Sequence, residues 1–269
     1  MAAGLRFSLL ELSGGMGDLG TFLPLAVAVA AACRLDMGTI LVWAGLMNVA
    51  TGLMFRQPVP VQPMKAIAAV AITEGLSQGE LAAAGLFMGA LMLLLALTGL
   101  ISLIDRLVPR EVVVGIQLGV GLKLAARGVS LVVGLPTSDA DSVLMAVAVC
   151  GLLFLLWSRK LPGALIVFVL GVVLLWINHP EAYSQLGLGL PQLIPHWPSP
   201  ADWSSGVIRA AIPQAPLTVL NSVVAVCALS ASYFPGQGIA PRRMAASVGV
   251  MNLLCTPLGG MPMCHGSGG

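Results

Sequence analysis

An uncharged stretch from Leu81 to Ile104 sets the strongest limit on what this chain can fold into. As a helix, these 24 residues (81 to 104) would be roughly 36 Å long, which exceeds the ~30 Å hydrocarbon core of a bilayer. A second uncharged stretch covers Gly163 to Asn178. Charged residues make up 9% of the 269 residues, against about 25% in soluble domains. The sequence therefore predicts an all-α integral membrane protein, and a net charge of only +2 argues against a nucleic-acid partner.

Hydropathy and the glycine and proline breaks divide the chain into nine apolar segments and the start of a tenth. The nine segments are residues 7–32, 37–55, 63–75, 80–104, 111–128, 141–157, 161–178, 207–232 and 243–258. The tenth begins near Pro262. Residues 179–206 are proline-rich and contain Trp197 and Trp203, so they are expected to form an external loop or an interfacial segment.

The Lys and Arg residues predict the orientation in the membrane. With the N-terminus in the cytoplasm, the inner side would carry Arg6, Arg56, Arg106, Arg110, Arg159, Lys160, Arg242 and Arg243. The outer side would carry only Arg34, Arg127 and Arg209. Because cytoplasmic loops are enriched in Lys and Arg, we expect a multi-pass protein of the cell (inner) membrane with a cytoplasmic N-terminus.

Two parts of the sequence resemble each other at a fixed distance. Residues 44–65 align without a gap with residues 248–269, an offset of 204. The matched pairs are Gly45 and Gly249, Met47 and Met251, Asn48 and Asn252, and Pro58 and Pro262. A looser alignment at an offset of 203 pairs Glu11 with Gln214 and Asp18 with Asn221. Seven segments precede the second copy, so it would enter from the opposite face, as in the inverted repeats of secondary transporters. The predicted domains are a seven-segment repeat over 1–178, the loop 179–206 and an incomplete second repeat over 207–269.

A proline-rich break, PVPVQPMKAIAAVAI (58–72), precedes the short third segment. Its prolines cannot continue a helix, and the residues before them favour extended backbone. A helix is expected to begin at Pro63 or Met64, and its open N–H groups and positive dipole end suit an anion. Lys65 in the first turn adds a full positive charge. The alternative is a re-entrant packing elbow in which Lys65 extends to the cytoplasmic interface.

The chain ends in GGMPMCHGSGG (259–269), the corresponding break of the second copy. Its glycines allow the backbone to approach a bound ion closely, and Ser267 can donate a hydrogen bond. His265 can donate one too, or carry a proton. Together with Met261, Met263 and Cys264 it could also ligate a soft metal, but no matching set occurs elsewhere. Packing or oxyanion contact is therefore favoured over a metal site, and no cofactor is expected.

Two carboxylates, Glu11 and Asp18, lie within the first apolar segment, where ionisable residues are costly and usually functional. They could carry a coupling proton or hold unwound backbone; for Glu11, a plain position at the cytoplasmic interface is an equal alternative. Between them, GGMGDLG contains a G-x-G-x-x-G pattern. Since no strand precedes it, we interpret these glycines as small residues for close helix crossing or for local unwinding at Asp18, not as a nucleotide fingerprint.

The three motifs ELSGGMGDLGTFLPL, PVPVQPMKAIAAVAI and GGMPMCHGSGG together resemble those of the molybdate transporter family related to the sulfate permeases, over nearly the whole chain. The resemblance implies a sulfate-permease-like fold of seven plus seven inverted segments with broken helices, as in nucleobase transporters. It implies an oxyanion site between the facing N-termini of the third and tenth helices. The implied substrate ligands are Gln62, Pro63, Met64, Lys65, His265, Gly266 and Ser267, with Asp18, Gln214 and Asn221 in support. Family members continue past the second motif, so the chain is expected to be a fragment or a truncated product.

The leading functional hypothesis is a secondary active transporter of an oxyanion, with molybdate as the first candidate. A sulfate transporter of the same fold is the first alternative. A coupling proton and a homodimer are further candidate partners beside the lipid bilayer. From other classes, a cation channel is disfavoured by the basic charge at the proline break. A membrane-embedded enzyme using His265 with Asp18 or Glu11 is disfavoured because there are only three histidines and no nucleophile–base spacing.

Overall fold

The computed structural model describes residues 8–133, 142–158, 161–178, 180–181, 191 and 195–267. These residues are almost entirely helical, with two three-residue strands. In chain order the elements are α1 (Leu9–Met16), α2 (Leu19–Cys33), α3 (Met37–Phe55), β1 (Val61–Pro63), α4 (Lys65–Glu74), α5 (Gln78–Thr98), α6 (Leu100–Leu107), α7 (Arg110–Val132), α8 (Val143–Ser158), α9 (Gly163–Asn178), α10 (Pro200–Tyr233), α11 (Pro241–Cys255), a 3₁₀ turn (Thr256–Leu258) and β2 (Met263–His265).

Three of these helices, α3, α5 and α10, are long and apolar enough to cross a bilayer. The broken pair α1 and α2 makes a fourth candidate span if it is taken as one segment, and α8 and α9 are shorter apolar helices. Leucine, valine and isoleucine side chains are exposed along many of these helices, as expected for surfaces that face lipid instead of water. The structure therefore agrees with an integral membrane protein.

Several boundaries differ from the sequence prediction. The segment expected at 80–104 is two helices, because Gly99 adopts a left-handed conformation (φ 78°) that ends α5 and begins α6. The segment expected at 7–32 is interrupted at Gly17 and Asp18, so local unwinding at Asp18 is the interpretation that the structure supports. Residues 200–206, expected in a loop, form the first turns of α10, where Ser199 and Asp202 make a reciprocal capping box.

The chain folds as two compact units, one of residues 1–19 and 121–189 and the other of residues 20–120 and 190–269. This division describes packing, and the repeat boundaries at 178 and 206 stay predictions. In the first unit, α1 packs against α9, and α8 also packs against α9. The Leu165 N–H in the first turn of α9 donates to Ser13 Oγ at 3.3 Å, which satisfies one of the open donors of that helix.

The second unit is built around α5, which packs along α11 and against the first half of α10. Glycines make the α5–α11 crossing close. A Cβ added at Gly249 would lie 2.9 Å from Leu93 Cβ and 3.0 Å from the Gly89 carbonyl oxygen, so only glycine fits here. Helix α10 contains two π-helical stretches, Val207–Ala211 and Thr218–Ala225; such stretches occur frequently at functional sites.

Four arginines of the second unit lie near the two ends of α5. Near its start, Arg209 donates to Glu74 (2.9 Å) and Glu80 (3.3 Å), and Gln78 bonds the Arg34 carbonyl. Near its end, Arg242 donates to the carbonyls of Ala96 and Leu97, and the Arg243 guanidinium lies 5.8 Å from the Phe55 ring centroid. Arg34 and Arg209, assigned to one side of the membrane, thus lie at the opposite end of α5 from Arg242 and Arg243, and the orientation itself stays a prediction.

Candidate functional site

The two proline breaks meet in a short antiparallel strand pair. Strand β1 pairs with β2 in the register Val61 with His265, Gln62 with Cys264, and Pro63 with Met263. All six residues are buried. The sequence analysis expected extended backbone before α4, but it did not predict that the two breaks would pair. Their pairing brings predicted ligands from positions some 200 residues apart together in the core of the second unit.

An asparagine holds each strand onto the helix before it. In α3, Asn48 donates to the Ala44 carbonyl at 2.9 Å and accepts the Val61 N–H at 3.0 Å. Such a side chain bridges its own helix and the strand that follows. One partner lies in its own helix and the other in the connected strand, so neither of these two bonds joins two helices.

In α11, Asn252 repeats the arrangement. Its amide nitrogen donates to the Val248 carbonyl (2.8 Å) and to the Met263 carbonyl (2.6 Å), while its oxygen accepts the Met263 N–H at 2.8 Å. Asn48 and Asn252 are the pair matched at an offset of 204, and each bonds the strand that follows its own helix in the chain. The repeat alignment was the signal that could have identified both residues as parts of the site.

His265 is completely buried and uses both ring nitrogens. Nδ1 lies 3.3 Å from the Pro60 carbonyl, and Nε2 lies 3.1 Å from Ser247 Oγ. A carbonyl only accepts, so Nδ1 carries a proton and donates to Pro60, whereas the Ser247 hydroxyl can either donate to Nε2 or accept from it. His265 therefore locks β2 to the first break and to α11. Among the residues that the structure describes, no cluster of three or more His, Cys, Asp or Glu side chains could hold a metal ion.

The N-terminus of α4 faces α10 and the second break. The Met64 N–H donates to the Pro262 carbonyl at 2.9 Å. The carboxamide oxygen of Gln214 accepts the N–H of Ala66 at 2.7 Å and that of Ile67 at 3.4 Å. The expectation of open N–H groups at this helix is thus corrected for these two donors, since Gln214 occupies them.

The remaining predicted ligands lie around the strand pair. Lys65 is half-buried at the first position of α4. Ser267 donates a short hydrogen bond to Asn221 of α10. Gly266 lies against the carboxamide of Gln62 with no room for a Cβ, so this glycine makes space for that side chain. The structure thus joins the two motifs to α10 through both of its predicted supporting residues, Gln214 and Asn221.

Met64 has a different surrounding from the one expected of a polar ligand. Its side chain and that of Met261 line an apolar recess with Ile67. Methionine fills irregular apolar gaps well because its side chain is flexible and polarizable. Met64 is therefore placed as an apolar wall beside the helix terminus, and its backbone, not its sulfur, makes the polar contact in this region.

Glu11 and Asp18 belong to the first unit. Glu11 is exposed in the first turn of α1, where a carboxylate is stabilised by the helix dipole, and its N–H donates to Ser8 Oγ at 3.2 Å. Asp18 lies at the break between α1 and α2 and is half-buried. Their roles in coupling or in supporting the site stay predictions.

Apolar spanning helices, helix breaks that meet in the core and a short helix whose N-terminus faces that meeting point define a polytopic membrane protein with the architecture typical of secondary transporters. Residues 10–124 and 206–269 match a family described as "Molybdate transporter of MFS superfamily". The chain belongs to this family. The family prediction is confirmed, whereas the description names the MFS superfamily and does not support the expected relation to the sulfate permeases.

The chain is also similar to named relatives. It is 38% identical to "Molybdate transporter 2" and 36% identical to "Molybdate transporter 1" of Arabidopsis thaliana, and 32% identical to "Molybdate transporter 1" of Chlamydomonas reinhardtii. The alignments cover 96%, 98% and 96% of this chain and 65%, 67% and 72% of the relatives. The chain thus spans about two thirds of their length. All three are named as transporters, in agreement with the prediction that the protein is not an enzyme.

Proposed function

We propose that the protein is a secondary transporter that carries molybdate across the membrane. The observation that carries the proposal is the buried meeting of the two helix breaks at the N-terminus of α4. Non-helical backbone at membrane depth is tolerated only where it is buried in protein or lines a cavity, and transporters place their substrate at such breaks. The names of the relatives supply the substrate.

The proposed oxyanion site lies between the two breaks. Lys65 supplies a full positive charge, and the first turn of α4 supplies the positive end of the helix dipole and N–H donors, two of which bond Gln214 in this structure. Arg209 forms salt bridges with Glu74 and Glu80, and among the described residues no carboxylate forms a salt bridge with Lys65. Around them, Gln62, His265 and Ser267 offer polar groups, and Pro63, Met64 and Gly266 shape the backbone.

We also propose that the two breaks belong to an inverted repeat. The matched asparagines support it, because Asn48 and Asn252 each bond the carbonyl four residues earlier and the N–H of the strand that follows. The antiparallel pairing of β1 and β2 also supports it, since related segments that enter from opposite faces run in opposite directions. In such transporters one helical bundle moves against the other around a central site. Proton coupling through Asp18 or Glu11, a homodimer and the cell-membrane location complete the proposal.

The test measures the uptake of radiolabelled molybdate and of radiolabelled sulfate by cells expressing the full-length protein. Each labelled anion is supplied at micromolar concentration, and the other anion is added unlabelled as competitor. Saturable molybdate uptake that persists in a large sulfate excess supports the proposal. Uptake of sulfate in preference to molybdate would replace it with the sulfate alternative, because both are tetrahedral dianions. No uptake of either anion above that of cells with empty vector would overturn it.

A further inference from the structure

The side chain of Gln214 occupies the position where an oxyanion would bind α4. Its carboxamide oxygen accepts two consecutive N–H groups, from Ala66 and Ile67, in the first turn of the helix. Gln214 is 2% exposed, and it is contributed by α10, about 150 residues away along the chain. No side chain of α4's own N-cap residue, Met64, caps these donors. A distant glutamine thus supplies the oxygen that a bound anion would otherwise supply.

The orientation of this carboxamide is fixed by its partners. Backbone N–H groups can only donate, so the atom that faces Ala66 and Ile67 must be the oxygen. The Gln214 amide nitrogen then faces Thr218 Oγ1 at 2.9 Å, and Thr218 is fully buried. A hydroxyl accepts this hydrogen bond readily. Both ends of the side chain are therefore satisfied with the oxygen on the helix terminus.

A second observation points to a polar ligand in the same region. Ser222 lies two turns beyond Gln214 on α10, in the π-helical stretch that packs against β2, and is 1% exposed. Within the described ranges its hydroxyl has no hydrogen-bond partner. Buried polar groups are normally paired, so this hydroxyl is available to bond a polar group that is not part of this chain.

We propose that Gln214 competes with the oxyanion for the N-terminus of α4, so that it sets the apparent affinity of the site. The inference rests on the proposed function. With no substrate bound, the glutamine oxygen satisfies the helix donors and stabilises α4. An arriving oxyanion displaces it, because a hydrogen bond to an anionic oxygen is roughly twice as strong as one to a neutral amide oxygen. Displacing the glutamine costs free energy, and this cost lowers the apparent affinity for the oxyanion. The same holds for any ligand that binds only a less populated conformation of its protein.

Two substitutions of Gln214 separate competition from a structural role. Gln214→Glu places a carboxylate permanently on the donors, and we expect the molybdate Kd to rise at least tenfold while the unfolding temperature stays the same or rises. Gln214→Ala removes the competitor, and we expect the Kd to fall at least threefold while the unfolding temperature drops. A purely structural glutamine would give weaker binding and lower stability together in both variants.

The measurements are isothermal titration of molybdate and thermal unfolding, both on the full-length protein in detergent. Gln57→Glu is the matched control: Gln57 is another buried glutamine, bonded to Gln237 and Ser230, and its change should lower stability without changing the Kd. An unchanged Kd in Gln214→Glu, or a raised Kd in Gln214→Ala, would overturn the inference alone. Wild-type protein that binds no molybdate would overturn the proposed function as well.

Discussion

Single polar residues decide how the helix breaks are held in this protein. Asn252 is fully buried and makes three hydrogen bonds, whereas Asn48 makes two from an exposed position. Both satisfy the N–H of a strand that has only one partner strand. In an apolar surrounding an unsatisfied backbone group is costly, so these side chains are what permits non-helical backbone at this depth.

We expect Asn252→Ala to lower the free energy of unfolding by about 3 kcal/mol, because it leaves the buried Met263 N–H and carbonyl without the side chain that bonds them. Asn48→Ala should cost less, about 1–2 kcal/mol. Denaturant or thermal unfolding in detergent measures both. Asn178→Ala is the control, since that asparagine is exposed and, within the described ranges, bonds only the Leu174 carbonyl of its own helix. Equal losses in all three variants would contradict the role assigned to the anchors.

Lys65 is the residue whose charge the oxyanion site requires. We expect Lys65→Ala to reduce molybdate uptake by at least tenfold. The substitution removes the full positive charge of the lysine, so the bound anion is attracted only by the helix dipole. Lys123 lies in α7, outside both proline breaks, and Lys123→Ala should therefore leave uptake within about twofold of the wild type. Initial uptake rates corrected for the amount of protein in the membrane provide the comparison. Equal effects of the two substitutions would remove Lys65 from the site.

At the scale of elements, the second unit depends on how closely its helices approach. Helices α5 and α11 cross at glycines, and the first turns of α10 pack against α5 where Gly206 meets the Glu80 carbonyl with no space for a Cβ. Lipid gives little hydrophobic drive for helix association, so tight packing of small residues supplies much of the attraction. This crossing also positions Asn252, and through it β2.

Gly249 and Gly45 provide a matched comparison, because the repeat alignment pairs them but their contacts differ. A Cβ at Gly249 would press on Leu93 and Gly89, whereas one at Gly45 meets no atom within 4 Å. We expect Gly249→Ala to destabilise the protein by about 1–3 kcal/mol through overpacking. Gly45→Ala should be neutral or stabilising by about 0.5–1 kcal/mol. Unfolding temperatures of the two purified variants check this, and a Gly249→Ala variant as stable as the wild type would refute the close crossing.

For the whole molecule, the distribution of basic residues predicts which end faces the cytoplasm. Arg34 and Arg209 lie near the start of α5, and Arg242 and Arg243 lie near its end. The positive-inside rule, applied to the eight basic residues assigned to one side against three assigned to the other, predicts that the end of α5 is cytoplasmic. Exposed positions at each end allow this orientation to be measured directly.

We expect a cysteine at Ala201 to react with a membrane-impermeant maleimide in intact cells, and a cysteine at Gln237 to react only after the cells are permeabilised. Both positions are exposed, one at the start of α10 and one just after its end. The background should carry Cys150→Ser, because Cys150 is the exposed native cysteine while Cys33, Cys227, Cys255 and Cys264 are buried. The reverse labelling pattern would invert the orientation.

The amino-acid sequence was sufficient for the class of protein, the family and most helix positions. Charge-free stretches longer than a bilayer and three specific motifs depend only on residues near one another in the chain. Pro58, Pro60 and Pro63 are also a local signal, and they located the break before α4. The predicted segment 37–55 coincides with α3. Two helix boundaries were predicted wrongly. The left-handed Gly99 lies within an apolar stretch that hides the end of α5, and the capping box at Ser199 lies within a proline-rich stretch that hides the start of α10.

The details of the candidate site were decided by tertiary structure. Pairing of β1 with β2, capping of α4 by Gln214 and the Gly89–Gly249 crossing each join residues about 150 to 200 positions apart. Composition and spacing predict that the N–H groups of a helix terminus need partners, but not which distant side chain provides them. That choice depends on which faces meet when the helices pack, and packing selects Gln214 where the sequence alone predicted open donors for an anion.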